Sequence, residues 1–305
     1  MAGKKNMTAN TAVLGAEAHS QLIKRERKAN NVWNKLRRNK TAMTGLVIVV
    51  FMIIIAIFAP LIATHDPNAI KPSETYLGLG ENGHIFGTDE FGRDLFSRVV
   101  YGARISLIAA IGGTIVGAII GIILGLIAGY LGGAADAVIM RLMDGMLAFP
   151  FVLLAIILMT ILGSGLQNVI LAIGIGNVPS FARVVRGQVH IVKNEEYCNA
   201  GRVIGVSNVR MLLRHILPNT ISPIIVYATL NVAGAIISEA TLSFLGLGIS
   251  QPTASWGNIL RAGKDCLNTA PHIATISGIF ILVTVLGFNL LGDGVRDVLD
   301  PKMKK

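Results

Sequence analysis

Charge is scarce in this chain. Of 305 residues only 14% are Asp, Glu, Lys or Arg, against 52% hydrophobic. A soluble globular domain carries about 25% charged residues. The deficit is concentrated in long windows, and the charges crowd between them. This excludes an ordinary soluble fold, since each bilayer crossing needs about 20 apolar residues and penalises charge. Cysteine is nearly absent: Cys198 and Cys266 are the whole complement. They fall on opposite sides of the topology derived below, so no disulfide is expected, and neither has metal-like or redox-like spacing. Also missing are G-x-x-x-x-G-K-[ST], H-E-x-x-H and G-x-S-x-G. No phosphate-cradling loop, zinc protease pair or serine nucleophile is therefore expected.

What is present is apolar length. Residues 42–63 and 105–131 are two uncharged runs, and none of the residues between Asp144 and Arg183 is charged. That last stretch is too long for one crossing, and Gly163-Ser164-Gly165-Leu166-Gln167-Asn168 divides it into helices of about 147–162 and 168–186. Runs from about Ile221 to Leu245 and from Ile273 to Leu291 bring the expected spans to six. The first run lies behind a basic tail and is too long for a cleavable signal. Placing the N-terminus inside puts 21 of the 27 Lys and Arg residues on the inner side. The positive-inside rule then predicts both termini in the cytoplasm. The net charge of +10 reads as topogenic rather than as a nucleic-acid surface, since no basic stripe with interleaved aromatics is present. Leu22, Ala29, Trp33 and Leu36 share one face amid basic residues. This fits either a helix lying on the inner leaflet or an unstructured tail.

Individual residues refine this picture. Gly113, Gly117, Gly121, Gly125 and Gly129 recur every four residues in the second span and predict close helix packing. Glu239 is the one carboxylate well inside a span. It is a candidate for the translocation path, or a brace to Arg104 or to backbone. Asn231 is the second path candidate. The G-x-G-x-x-G match at 78–83 has no strand before it and reads as a loop. No metal site is expected. Residues 194–218 form a charged connection between the fourth and fifth spans. Asn194 is expected to cap a short helix, Gly205 to end it, Ser207 to cap a second, and Pro218 to stop that one.

This connection resembles the E-A-A loop of ABC importer permeases, aligned on Gly205, Leu217 and Pro218, with Asn199-Ala200-Gly201 at the motif's first positions and His215 where isoleucine is usual. Gly87-Thr88-Asp89-Glu90-Phe91-Gly92-Arg93-Asp94, Leu242-Ser243-Phe244-Leu245-Gly246-Leu247-Gly248 and Ser255-Trp256-Gly257 are similar to signatures of oligopeptide, dipeptide and nickel permeases. The resemblance covers residues 30–303 and is to the second, "C"-type permease. It implies an all-α, polytopic membrane protein with six transmembrane helices and the type I ABC importer permease fold. Its parts are a tail (1–40), a first helix with an extracytoplasmic loop (41–103), and a five-helix core (104–305) with the coupling loop 194–218. The implied partners are a sister permease, two ATPase subunits and an extracytoplasmic peptide-binding protein, with a di- or oligopeptide as substrate and lipid around. The chain itself is expected to be non-catalytic and to carry no cofactor, with ATP and Mg on the partners. Glu196, Ala200, Gly201, Arg202, Gly205, Arg214, Leu217 and Pro218 become the candidate coupling contacts. Alternative expectations are a nickel or other small-solute permease, and an ion-coupled secondary transporter.

Overall fold

A computed structural model describes residues 32–299. The expected tail face through Leu22 and Ala29 lies outside the described residues. The helices are α1 (Val32–Arg38), α2 (Lys40–Ile57), α3 (Ala59–Ile62), α4 (Leu95–Leu131), α5 (Gly133–Leu147), α6 (Phe151–Leu162), α7 (Leu166–Val192), α8 (Glu196–Val203), α9 (Asn208–Phe244), α10 (Trp256–Asp265) and α11 (Pro271–Leu299). No strand occurs among the described residues.

Five of these helices, α2, α4, α7, α9 and α11, are long and apolar enough to cross a membrane. A sixth span is present if α5 and α6 are taken together, bent by 90°. The expected helix over 147–162 is therefore revised. α6 has 12 residues, about 18 Å of rise, which falls short of a bilayer core of about 30 Å. The cause is Pro150, which offers no N–H and restricts Phe149 to extended backbone, so α5 ends at Leu147 and the chain turns before α6 starts. The break at 163–165 stands as expected, with Gly163 and Gly165 both at positive φ.

α4 is the spine. Its 37 residues rise about 55 Å, well beyond a bilayer core, and its first turns carry Arg98 and Arg104 outside the apolar run. α7 lies along it. A Cβ added at Gly113, Gly117, Gly121, Gly125 or Gly129 would stand 2.4–2.8 Å from atoms of α7, so the four-residue glycine ladder is the surface on which the two backbones meet. α2 packs as closely on α11, where a Cβ at Gly45 would stand 2.4 Å from the Leu291 nitrogen. Away from these contacts the helices expose large apolar side chains, among them Phe51, Ile57, Ile119 and Leu282, as expected of surfaces facing lipid or another membrane subunit.

The bundle has two distinct ends. At one, residues 64–94 and the segment around α10 form a cap. At the other, α8 and the start of α9 form a hairpin.

Candidate functional site

The hairpin is built by local rules. α8 starts after Glu195, with Glu196 in its first turn and Arg202 in its last, both favourable to the helix dipole. Asn194 does not cap it; its amide donates to the His190 carbonyl instead. The helix ends where Val206 N–H donates to Gly201 O (3.0 Å) and Gly205 N–H to Arg202 O (3.1 Å), the paired bonds of a Schellman motif. Gly205 sits at φ +79 with nothing within 4 Å of an added Cβ, so backbone conformation and not space requires glycine there.

After Ser207 the chain enters α9. Pro218 does not stop that helix. Residues 211–216 form a π turn in which Leu217 N–H donates to Leu212 O, five residues back. This widened turn accommodates the proline, which has no N–H of its own and would crowd the carbonyl of Arg214 in a regular α-helix. The second arm of the hairpin is therefore continuous with a membrane span, from Asn208 to Phe244.

The candidate coupling residues divide. Gly201 is buried, and its added Cβ would lie 2.5 Å from Met211 Cε, so it lets the two arms of the hairpin pack on each other. Arg202 bonds Asn199 Oδ1 (3.1 Å) and the Lys193 carbonyl (3.2 Å) within the chain. Glu196, Ala200, Arg214 and Pro218 are exposed, and Leu217 is half-buried beside the cluster under the hairpin. Sequence reasoning missed the apolar tip. Val203 is 88% exposed, Ile204 80%, Val209 68% and Leu213 55%. The available signal was four aliphatic residues outside the spans that hydropathy marks, flanking a glycine turn.

The intramembrane candidates are internal. Glu239 is fully buried. Ser106 Oγ donates to one carboxylate oxygen and Ser243 Oγ to the other, each at 2.8 Å. Trp256 N–H donates to Ser106 Oγ (3.2 Å) and its indole N–H to the Val99 carbonyl (3.0 Å). The carboxylate thus ties α9 to α4 and, through Ser106, to α10. Arg104, its other sequence-level partner, is exposed. Asn231 accepts from Thr114 Oγ1 and donates to Asn177 Oδ1, both at 3.3 Å, linking α9 to α4 and α7. Replacing Glu239 by Leu strands two buried hydroxyls, at about 1–3 kcal/mol for each unsatisfied group, whereas Gln keeps an acceptor and a donor. Thermal unfolding in detergent should therefore fall for Glu239→Leu and change little for Glu239→Gln. Equal loss for both would remove hydrogen bonding as the reason.

The cap is ordered by buried polar groups. Asp89 accepts from Arg93 Nε (2.7 Å) and lies 3.3 Å from Arg98 Nε, all three being 3% exposed or less. Asp94 Oδ2 caps α4 by accepting from Ser97 N–H (2.8 Å). Its Oδ1 lies 2.8 Å from His84 Nδ1 and 3.7 Å from His65 Nδ1. Glu74 accepts at 3.2 Å from the other side of the His84 ring. Burial pushes the Asp94 carboxyl up, but hydrogen bonds from Ser97 and His84 outweigh it and leave it below the usual range. Hydrogen bonds from His84 and then Lys71 hold Glu74 down. Nothing in the sequence spacing of His65, His84 and Asp94 marks them as a set.

Comparison with known proteins gives one picture. The family model described as "binding-protein-dependent transport system inner membrane component" matches residues 121–305. A second, "N-terminal TM domain of oligopeptide transport permease C", matches 29–78. The dipeptide transport system permease protein DppC of Alkalihalophilus pseudofirmus is 47% identical over 272 residues, covering 89% of this chain and 89% of that one. The glutathione transport system permease protein GsiD of Escherichia coli O157:H7 is 47% identical, covering 89% and 90%. A chain of the MetNI methionine ABC transporter, in an inward-facing conformation, superposes with a TM-score of 0.55 over 66% of this chain and 96% of its own, at 19% identity. At that identity the likeness speaks for the fold.

Proposed function

This chain belongs to the family of binding-protein-dependent transport system inner membrane components, and from that premise we propose that it is the "C"-type permease subunit of an ATP-driven importer of di- or oligopeptides. The relatives named for dipeptide and glutathione transport support peptide cargo. In this reading a sister permease completes the path, a binding protein delivers peptide at the cap, and two ATPases dock at the hairpin. The Lys and Arg distribution supports placing the hairpin and both termini in the cytoplasm.

The observation that carries the reading is the hairpin tip. Val203, Ile204, Val209 and Leu213 are exposed apolar side chains on the two arms of the hairpin, and the second arm, which carries Val209 and Leu213, is the start of α9. A partner that grips this tip moves a membrane helix directly. Rigid-body motion of ATPases then converts to a change in which side of the path is open. Gly201 closes the hairpin internally, and Gly205 sets its turn.

Gly205→Val tests that geometry. A β-branched residue in the left-handed region costs on the order of 1–3 kcal/mol, and relief comes by opening the turn. Membrane insertion is expected to stay intact, while peptide-stimulated ATP hydrolysis by the complex falls. Normal stimulation would remove Gly205 from the coupling role. The cargo is tested by uptake of labelled di- to hexapeptides, and separately of nickel, in cells lacking the chain and in cells with it restored. Peptide uptake should vanish and return. Loss of nickel uptake alone would replace the cargo and leave the importer standing.

A further inference from the structure

The cap contains a site that transport by the proposed mechanism does not use. His65, His84 and Asp94 each offer one ligand atom, and these atoms all lie within 4.8 Å of one another; Asp94 Oδ1 is 3.7 Å from His65 Nδ1 and 2.8 Å from His84 Nδ1. They come from three separate stretches of chain: the exit from α3, the middle of the cap, and the N-terminus of α4. We propose that these residues bind one divalent first-row transition ion, of the Zn²⁺ class, which fastens the cap to α4.

The arrangement is built for a ligand in several independent ways. The two carboxylate oxygens of Asp94 are used separately, Oδ2 holding the helix N-terminus while Oδ1 faces the two imidazoles. His84 is 2% exposed. Glu74 sits 3.2 Å from its Nε2, so the ring keeps a proton on that nitrogen once an ion displaces the one that Nδ1 shares with Asp94. A carboxylate behind the far nitrogen of a ligating histidine is the usual support for a metal-binding imidazole. His65 is positioned through its backbone, whose N–H donates to Ser97 Oγ at 3.0 Å, and its ring stands 4.6 Å from that of His84.

Zn–N and Zn–O bonds of about 2.0–2.2 Å put the ligand atoms of a tetrahedral site roughly 3.4 Å apart, near the 3.7 Å between His65 Nδ1 and Asp94 Oδ1 and inside the 4.8 Å reach of the whole set, so the wider-spaced ligands draw together on binding. His84 Nδ1 and Asp94 Oδ1 must separate slightly, because at 2.8 Å they share a proton that the ion displaces. Two carboxylates, Asp94 and Glu74, balance a 2+ charge. Two imidazoles with one carboxylate suit zinc, nickel or iron better than calcium or magnesium, which prefer all-oxygen shells. The His65 side chain is 34% exposed, which gives the ion an entry route and leaves a position for water.

The test uses the full chain expressed with its neighbouring subunits, stripped with chelator and titrated with Zn²⁺ in equilibrium dialysis. Cobalt is the spectroscopic probe. Wild type should bind one ion that His65→Ala loses or weakens at least tenfold. Removing His65 leaves the His84–Asp94 and His84–Glu74 contacts, so the cap remains folded, which size-exclusion behaviour and unchanged peptide binding check. Glu74→Gln, which alters only the support behind His84, should weaken binding by about 10–100-fold. Cobalt should show the intense visible bands of a four- or five-coordinate site in wild type and not in His65→Ala. His215→Ala, at the opposite end of the bundle, should bind as wild type does. Zinc binding unchanged in His65→Ala, binding reduced equally by His215→Ala, or no binding by wild type would each overturn the site and show a proton-bridged cluster alone. The proposed peptide transport stands in all three cases.

Discussion

Gly121→Leu should prevent stable assembly of the bundle. A Cβ at this position would stand 2.4 Å from Phe181 Cβ, 2.9 Å from the Val178 carbonyl and 3.0 Å from the Ala182 nitrogen. Two of those three atoms are backbone, so no rotamer change relieves them. Relief requires α4 and α7 to move apart along the whole ladder, from Gly113 to Gly129. Overpacking in a close-packed interior costs about 1–3 kcal/mol. Here the cost is at the upper end or above, because dispersion contacts at neighbouring glycines are lost together and lipid gives no hydrophobic compensation. The measurement is the amount of protein recovered in membranes and its midpoint of thermal unfolding in detergent. Gly145→Leu is the control, since an added Cβ there meets nothing within 4 Å. Loss confined to Gly121→Leu supports backbone-to-backbone packing. A stable Gly121→Leu protein would mean the two helices are not held as described.

Ile204→Asp should leave the folded subunit intact and abolish its capture of the proposed ATPase partners. Ile204 is 80% exposed at the hairpin tip, so within this chain the substitution disturbs little. At an interface it places a charge in an apolar contact. Removing one central anchor costs about 2 kcal/mol or more, roughly 30-fold in affinity, and an unpaired buried charge adds to that. Co-purification of the ATPases should be lost, with expression and unfolding midpoint unchanged. Ile204→Val should retain assembly. Normal assembly of Ile204→Asp would remove the tip from the docking surface and shift the candidate contacts to Glu196 and Arg214. The two experiments separate cleanly: one breaks the bundle and the other only what grips it.

Much of this architecture was legible in the chain because its causes are local. Hydropathy over 20 residues locates a span whatever its neighbours are. The glycine ladder was readable as a packing face because four-residue spacing stays on one side of a helix. Gly205 was readable as a helix end because a left-handed residue closes a Schellman motif. Pro150 carried the break between α5 and α6 just as locally, but it lay inside an uncharged run and was absorbed into a span. Pro218 misled for the opposite reason. Proline ends a regular helix, yet a single π turn upstream let α9 continue through it. That continuity makes the hairpin an extension of a span and not a separate appendage.

By itself the sequence determined that this is a polytopic membrane protein, roughly where its spans other than the third lie, and that it belongs among importer permeases. Each follows from patterns within a window shorter than one helix, or from contiguous motifs. Only the tertiary structure decided that Glu239 is enclosed by the hydroxyls of Ser106 and Ser243, that Val203 and Ile204 stand uncovered, and that His65, His84 and Asp94 converge. Those facts depend on which residues of distant segments meet. Helical period and hydropathy say which face a residue occupies, and only the packing of α4 against the cap and against α9 says what that face touches.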